Sequence, residues 1–259
     1  MLRGGSIMDN RYKVRKSWAD EKSQIGAYTI LKNAIKKANE NKGYAVFDSG
    51  DGGKLLHKSG ETFVQSMYYK AKLKKAVGKH KKGEKVTVYR NLNKEWLLED
   101  GTDIPNRADY LDLTKQVYDP ECKYSKAAAE RWVNRYGFTS TTDYLFWCSK
   151  YCQKVYIFKG KKGAWQLIKT AKCGTGNITY GDPSDQGIGF KWKVYNKHKT
   201  YQSQRGLLYW LMHYSSAYGN AIHAGTVGKP STHGCISLST ATAKWAFETL
   251  PINTKVIVY

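Results

Sequence analysis

The first sixty residues combine two kinds of hydrophobic spacing. Residues 11–18 alternate basic and apolar side chains, which is typical of a half-buried strand. From Ile25 to Ala38 the apolar residues recur at steps of three and four, which predicts a helix that ends before Gly43. Two further strands are predicted at residues 44–47 and 55–56, around a turn rich in glycine. The pattern therefore predicts a small β-α-β-β unit over residues 8–60.

Lysines dominate the next segment. Residues 68–85 contain eight lysines and one acidic residue, which predicts a solvated basic face or loop. Short strands are predicted at residues 85–89 and 95–98, and turns follow them. Residues 66–117 therefore predict a small all-β module, with a loose resemblance to bacterial SH3-type wall-binding modules.

Strand-length apolar runs fill most of the C-terminal half. A helix is predicted at residues 125–136, with Ser125 as its N-cap and Gly137 after its last turn. A second helix is predicted at residues 240–250, where Pro251 stops it. Strands are predicted around these helices, at residues 144–148, 154–158, 165–169, 191–195 and 255–259. The chain as a whole is thus predicted to be α+β and mostly β.

The charge of the chain narrows the classes of partner. Its 259 residues include 43 Lys plus Arg and 21 Asp plus Glu, which gives a net charge of +22. Such a charge attracts polyanions: nucleic acid, anionic lipid or the phosphate-rich polymers of a bacterial wall. No apolar run approaches the roughly 20 residues of a membrane-spanning helix. No secretory signal is visible after Met1, so we expect retention in the cell, release by lysis or a leader outside this sequence.

Five cysteines make an odd number, so at least one thiol is expected to stay unpaired. Cys148 and Cys152 could face each other across a hairpin, so a disulfide between them is an alternative that the sequence does not decide. Cys173 is interpreted as a buried thiol. The histidines outside the motif described next have no partner at a metal-ligand spacing and are interpreted as surface or packing residues: His57, His80, His198 and His213. No metal and no cofactor is predicted.

The segment Thr232-His233-Gly234-Cys235 carries the clearest chemistry. In an extended chain residues two apart project from the same side, so His233 and Cys235 are predicted to be neighbours. An imidazole beside a thiol lowers the pKa of the thiol or accepts its proton, and the thiolate attacks carbonyl carbon. Gly234 allows close backbone approach, and amide N–H groups near Cys235 could stabilise an oxyanion.

This motif, with His223 upstream and Ile236 after the cysteine, resembles the signature of the L,D-transpeptidase (YkuD-type) catalytic domain. The resemblance runs from about residue 138 to residue 259 and includes residues 153–158, the Gly174-Thr175-Gly176 turn and the closing strand. It implies a β-sandwich-like catalytic domain over residues 138–259.

By the resemblance, Cys235 is the acylated nucleophile and His233 its general base. His223, Thr232, Gly234 and Ser237 contribute to binding substrate. The family commonly has arginine where this chain has Ser237, and that arginine could pair with a stem-peptide carboxylate. A lysine from elsewhere could replace the missing cation.

The favoured function is therefore a peptidoglycan L,D-transpeptidase that forms 3-3 cross-links from tetrapeptide stems. The expected partners are stem peptides and anionic wall polymers, with a carbapenem as inhibitor, no nucleic acid and no membrane span. The expected location is the extracellular cell wall. Residues 12–18 and 23–27 also resemble modules of wall amidases and lysins. Two alternatives remain: a cysteine peptidase that hydrolyses wall peptides, and a catalytically silent protein that binds the wall or nucleic acid through its charge.

Overall fold

A computed structural model describes residues 10–90, 96–100, 102–104, 107–178, 189–216 and 219–259. The chain divides into two compact units. Of the described residues, one unit comprises 10–63, 72–89, 96–100, 102–104 and 107–111, and the other comprises 64–71, 90, 112–178, 189–216 and 219–259. The expected α+β, mostly β architecture is confirmed. The module boundaries 8–60, 66–117 and 138–259 stay predictions.

A four-stranded antiparallel sheet occupies the N-terminal segment. Its strands are β1 (Tyr12–Arg15), β2 (Gly26–Tyr28), β3 (Ala45–Asp48) and β4 (Lys54–Lys58), in the order β2-β1-β3-β4. Helix α1 (Leu31–Asn39) buries Ala34 and Ala38 against Val14 and Val46. The predicted unit lacked β2, and the helix was predicted to begin six residues too early. Residues 26–28 pair with β1 instead of joining the helix.

A second sheet has the strand order β8-β7-β6-β5-β9. Its strands are β5 (Tyr68–Leu73), β6 (Lys85–Arg90), β7 (Trp96–Leu98), β8 (Asp103–Ile104) and β9 (Leu111–Val117), and the short α2 (Arg107–Tyr110) precedes β9. Strand β5 begins the lysine-rich segment and buries Tyr69, Ala71 and Leu73 while Lys70 and Lys72 face solvent. The predicted basic face is therefore present, and part of it lies on a regular strand.

The third sheet has ten strands and contains the cysteine motif. Nine of them run in the order β13-β19-β10-β11-β12-β18-β16-β15-β14, and β17 pairs with β12. Their bounds are β10 (Tyr144–Ser149), β11 (Lys154–Lys159), β12 (Gln166–Gly176), β13 (Gly189–Lys193), β14 (Asn196–Ser203), β15 (Gly206–Ser215), β16 (Asn220–Ala224), β17 (Pro230–Thr232), β18 (Ile236–Leu238) and β19 (Lys255–Val258). The strands predicted at 144–148, 154–158 and 255–259 are confirmed within one residue, whereas β14 to β18 were not predicted.

Strands β10 and β11 are buried on both faces, which explains their uninterrupted apolar sequences. Phe146 and Ile157 pair across the two strands and belong to one hydrophobic cluster, and Trp147 and Tyr156 pair in the opposite cluster. Each fully buried large side chain contributes roughly 1.5–3 kcal/mol to stability. The sheet is thus the middle layer between two cores.

One helix closes each of these cores. Helix α3 (Lys126–Tyr136) begins where the Ser125 side chain accepts a hydrogen bond from the Ala128 N–H, and ends at Gly137 with φ +65°. Its Trp132 stacks on Trp147 with ring centroids 4.3 Å apart. Helix α4 (Thr240–Thr249) buries small alanines in the other core and ends before Pro251. Both predicted helices are confirmed. No helix of the described segments is long and apolar enough to cross a membrane.

Candidate active site

Cys235 lies directly before β18, where its half-buried Sγ accepts a hydrogen bond from the Ala221 N–H of β16 at 3.4 Å. Burial raises the pKa of this thiol, and the Ala221 N–H and the charge of Arg205 oppose that shift. The thiol is therefore protonated at neutral pH until a base takes its proton.

The parallel pairing of β16 with β18 determines which side chains share a face with Cys235. Ile222 pairs with Ile236, and both belong to the core that α4 covers. Because side chains alternate along strands, the opposite face carries Ala221 and His223 from β16, and Cys235 and Ser237 from the β18 segment. His223 pairs with Ser237, two positions after Cys235. His223 and Cys235 thus share one face of neighbouring strands.

The ring of His223 has a defined tautomer. His223 is buried, and its Nδ1 lies 2.8 Å from the carbonyl oxygen of Ala224. A carbonyl oxygen can only accept, so Nδ1 carries the hydrogen and Nε2 of the neutral ring keeps a lone pair. Burial lowers the pKa of His223, and the Ala224 carbonyl works against that shift. Neutral imidazole is therefore the dominant form at neutral pH.

His233 has a different environment. It is exposed and lies in the bend that separates β17 from β18. A slight loss of hydration, as the larger cause, and the positive charge of Arg205 both lower the pKa of His233. The sequence placed His233 beside Cys235 on the assumption of an extended chain, but the chain bends at residues 233 and 234.

Backbone contacts hold this bend in place. The Thr232 hydroxyl donates to the Cys235 carbonyl at 2.7 Å and accepts from the Gly234 N–H at 3.2 Å. From the core side, the buried Tyr214 hydroxyl donates to the Gly234 carbonyl at 2.9 Å. Gly234 itself has φ +155°. The Gly234 N–H is therefore already used, and Thr232 orients the bend by these bonds. Nothing in the sequence pointed to Tyr214 or Arg205.

Ser237 occupies a tight, uncharged site. It is buried, and its hydroxyl donates to the Thr226 carbonyl. Gly174 on β12 lies directly opposite, and a Cβ there would collide with the Ser237 hydroxyl and the Thr226 carbonyl. A Cβ at Gly225 would come within 3.0 Å of Ser237 Cβ. The small neighbours match the small side chain.

This packing predicts that Ser237→Arg destabilises the domain instead of improving it. A guanidinium at this buried position has no room and no carboxylate partner in the contacts described, and the expected cost is about 3 kcal/mol or more. The matched Ser237→Ala variant loses one hydrogen bond and should cost about 1 kcal/mol. Urea unfolding monitored by tryptophan fluorescence measures both. Equal stability of the arginine variant and the wild type would contradict this reading of the site.

The remaining cysteines lie away from this face. Cys148 and Cys152 belong to the two opposite cores, so they do not face each other. Cys173 is fully buried, as predicted. Within the described segments, no group of three or more histidine, cysteine or acidic side chains could hold a metal ion.

Comparison with known proteins gives one family match. Residues 143–258 match the model of the YkuD family, described as the L,D-transpeptidase catalytic domain. No curated protein matches the chain.

The solved structures that match this chain include the following three. A fused Zn-dependent amidase/peptidase/peptidoglycan-binding domain-containing protein from Clostridium acetobutylicum is 27% identical over 52% of this chain and 59% of its own, with a TM-score of 0.43. An L,D-transpeptidase from Stackebrandtia nassauensis is 17% identical over 52% and 67%, with a TM-score of 0.40. An L,D-transpeptidase in complex with imipenem is 18% identical over 45% and 59%, with a TM-score of 0.37. The chain thus spans less than two thirds of the first and the last of these.

Proposed function

Residues 143–258 form an L,D-transpeptidase catalytic domain of the YkuD family, and on that premise we propose that Cys235 transfers acyl groups between peptidoglycan stem peptides. L,D-transpeptidases of this family are cysteine-dependent acyltransferases. The observation that carries the proposal for this chain is the half-buried Cys235 thiol on one sheet face with the buried, neutral ring of His223.

The first step forms a thioester. The base takes the thiol proton as Cys235 Sγ attacks the carbonyl that joins the third residue of a tetrapeptide stem to its terminal D-alanine. The same base then gives the proton to the leaving amine, so D-alanine departs neutral at its new amino group. The thioester retains the remaining tripeptide stem on Cys235.

The second step decides the product. When the side-chain amine of a neighbouring stem attacks the thioester, the Cys235 thiol is regenerated and a 3-3 cross-link forms. When water attacks, the product is a shortened monomer. Transfer requires an acceptor amine to reach the thioester before water does, and hydrolysis is the competing alternative already named.

Two histidines compete for the role of base, and we assign it to His223. The Ala224 carbonyl holds Nδ1–H, which leaves the lone pair of Nε2 to accept a proton, and burial lowers the pKa of His223, so the ring is in the neutral form that a base requires. His233 is the base that the motif suggests, and its exposed ring in the bend is suited to contact substrate. Paired substitutions of His223 and His233 distinguish the two assignments.

The lowered pKa of His223 predicts a specific dependence of the acylation rate on pH. Acylation requires neutral imidazole, so its rate falls as pH drops through the pKa of His223. Burial lowers the pKa of His223 below the ordinary histidine value of about 6.5, so the acidic limb should lie below about pH 6.5. The rate of acyl-adduct formation between pH 4.5 and pH 9, followed by intact mass, measures the limb. An acidic limb above pH 7 would contradict a buried neutral base.

The experiment for the function as a whole uses purified full chain with tetrapeptide-stem muropeptides. An adduct on Cys235 together with cross-linked dimers supports transfer, and an adduct with only shortened monomers supports the hydrolase. A folded protein that forms neither adduct nor product refutes both enzymatic functions and leaves the wall-binding alternative. In that case binding to anionic wall polymer, driven by the net charge of +22, should survive Cys235→Ala.

Carbapenems provide an independent probe, because they are strained acyl donors for this family. We propose that such a compound acylates Cys235 selectively among the five cysteines. L,D-transpeptidases act on the cell wall, and we propose the wall as the place where this chain works.

A further inference from the structure

The five cysteines fall into three situations. Cys122 and Cys152 have their sulfur atoms 2.6 Å apart. Cys148 and Cys173 have theirs 3.8 Å apart, an ordinary contact between two sulfur atoms. Cys235 has the Ala221 N–H as its hydrogen-bond partner and contacts no other cysteine in the described part of the chain. An odd number of thiols is thus divided into two pairs and the candidate nucleophile.

Hydrogen bonds on both sides of the first pair fix its position. Cys122 lies in the loop before α3, and Cys152 lies in the tight turn between β10 and β11. Before the pair, the Asp119 N–H donates to the Tyr151 carbonyl at 2.8 Å. After it, the Tyr124 N–H donates to the Tyr156 hydroxyl at 3.0 Å. The two sulfur atoms are therefore held together by the backbone around them.

A buried lysine adds a third attachment to the same loop. The ammonium group of Lys154, the first residue of β11, donates to the carbonyls of Pro120 and Cys122, the latter at 2.8 Å. Lys154 is itself buried. The loop that carries Cys122 is thus bonded to the sheet at its start, middle and end, and little chain entropy remains to be lost when the sulfur atoms join.

We propose that Cys122 and Cys152 are a disulfide modification site that staples the loop before α3 to the β10–β11 turn. Cys122 is half-buried and gives an oxidant access, whereas Cys148 and Cys173 are both fully buried and stay reduced. The proposal rests on the proposed wall location, because that location supplies oxidising surroundings. It does not depend on any step of the reaction at Cys235.

A low-molecular-weight disulfide such as oxidised glutathione supplies the oxidising equivalents. The Cys122 thiolate attacks one sulfur of the glutathione disulfide, whose S–S bond breaks and releases one glutathione. The Cys152 thiolate then attacks the Cys122 sulfur and releases the second glutathione. The protein loses two hydrogens, and one glutathione disulfide becomes two thiols. Burial and the neighbouring sulfur raise the pKa of Cys122, which makes the first step slow at neutral pH.

For the enzyme, the disulfide would oxidise one pair of thiols and leave the thiol of Cys235 available for reaction. The cross-link closes a loop that contains α3 and β10, two elements of the aromatic core. It also removes the half-buried thiol other than Cys235 from competition for reagents. Oxidation at this pair therefore stabilises the domain without consuming the nucleophile.

The test uses the wild-type full chain equilibrated with reduced and oxidised glutathione, blocked with iodoacetamide and mapped by peptide mass spectrometry without reduction. We expect the peptides carrying Cys122 and Cys152 to be linked. Cys148 and Cys173 should be alkylated only after denaturation, and Cys235 should be alkylated or carry a removable glutathione. Alkylation of both Cys122 and Cys152, or a link between any other pair of cysteines, overturns the proposal.

A thermal measurement checks the same link independently. Dithiothreitol should lower the melting temperature of oxidised wild type by roughly 5–10 °C and leave Cys122→Ser unchanged. Cys148→Ser serves as the control, since it should keep the dithiothreitol-dependent shift even if its own stability falls. Loss of the shift in this control, or its persistence in Cys122→Ser, contradicts the assignment. Acyl-adduct formation on Cys235 is scored separately, so failure of the disulfide and failure of the reaction are distinguishable.

Discussion

Cys235→Ser should abolish the covalent adduct with a tetrapeptide stem and lower the rate of product formation by about 10³-fold or more. Serine keeps the size of the side chain and can still accept from the Ala221 N–H. Its hydroxyl is far harder to ionise than a thiol and is a weaker nucleophile without a stronger base. Intact mass of the protein after incubation with substrate measures the adduct directly.

Cys122→Ser is the matched control for this substitution, because Cys122 is the other half-buried cysteine. In reducing buffer it should acquire the adduct at the wild-type rate. Both variants should keep the wild-type circular dichroism, so that a lost adduct reports chemistry and not unfolding. An adduct that persists in Cys235→Ser at another cysteine would show that the nucleophile has been wrongly assigned.

His223→Gln should lower the rate of acylation by about 10²–10⁴-fold, the range expected when a general base is removed. Glutamine keeps a group that can donate to the Ala224 carbonyl, but it has no lone pair of comparable basicity. The acidic limb of the pH profile should disappear in this variant together with most of the rate. Single-turnover acylation by a carbapenem, followed by mass, separates this effect from the attack of the acceptor.

His233→Gln is the paired variant and should change the acylation rate by less than about 10-fold, chiefly through substrate binding. The ring of His223 is buried on the face of Cys235, whereas the ring of His233 is exposed in the bend. If His233→Gln loses the larger factor and His223→Gln the smaller, the motif-based assignment of His233 as base is the correct one.

The elements predicted best from the sequence are those that are enclosed on both faces or that carry local capping residues. Strands β10 and β11 are enclosed on both faces and appear as continuous apolar runs. Helix α3 was predicted to within one residue because Ser125 and Gly137 are local capping signals. By contrast, the sequence of β14 is polar and gives no clear period, and Tyr201 on this strand is exposed. Its hairpin partner β15 is largely apolar, but this run was not identified as a strand.

The candidate site was predicted in part for a related reason. Sequence spacing identifies neighbours along one strand, and on that basis it singled out the segment that carries Cys235. It does not report neighbours across strands, so the register that brings His223 to the same face as Cys235 was invisible. The bend at Gly234 broke the extended geometry on which the prediction for His233 depended.

The double burial of β10 and β11 distinguishes these two strands from the short strand that follows the reactive thiol. The three-residue β18 lies two strands from β11, beyond β12, and only one of its faces contributes to a core. Segments with fewer buried contacts open at lower free energy than the core that supports them. The rate at which a thiol reagent labels the half-buried Cys235 should therefore report local fluctuation of the β18 segment, while β10 and β11 keep their amides protected from exchange with solvent.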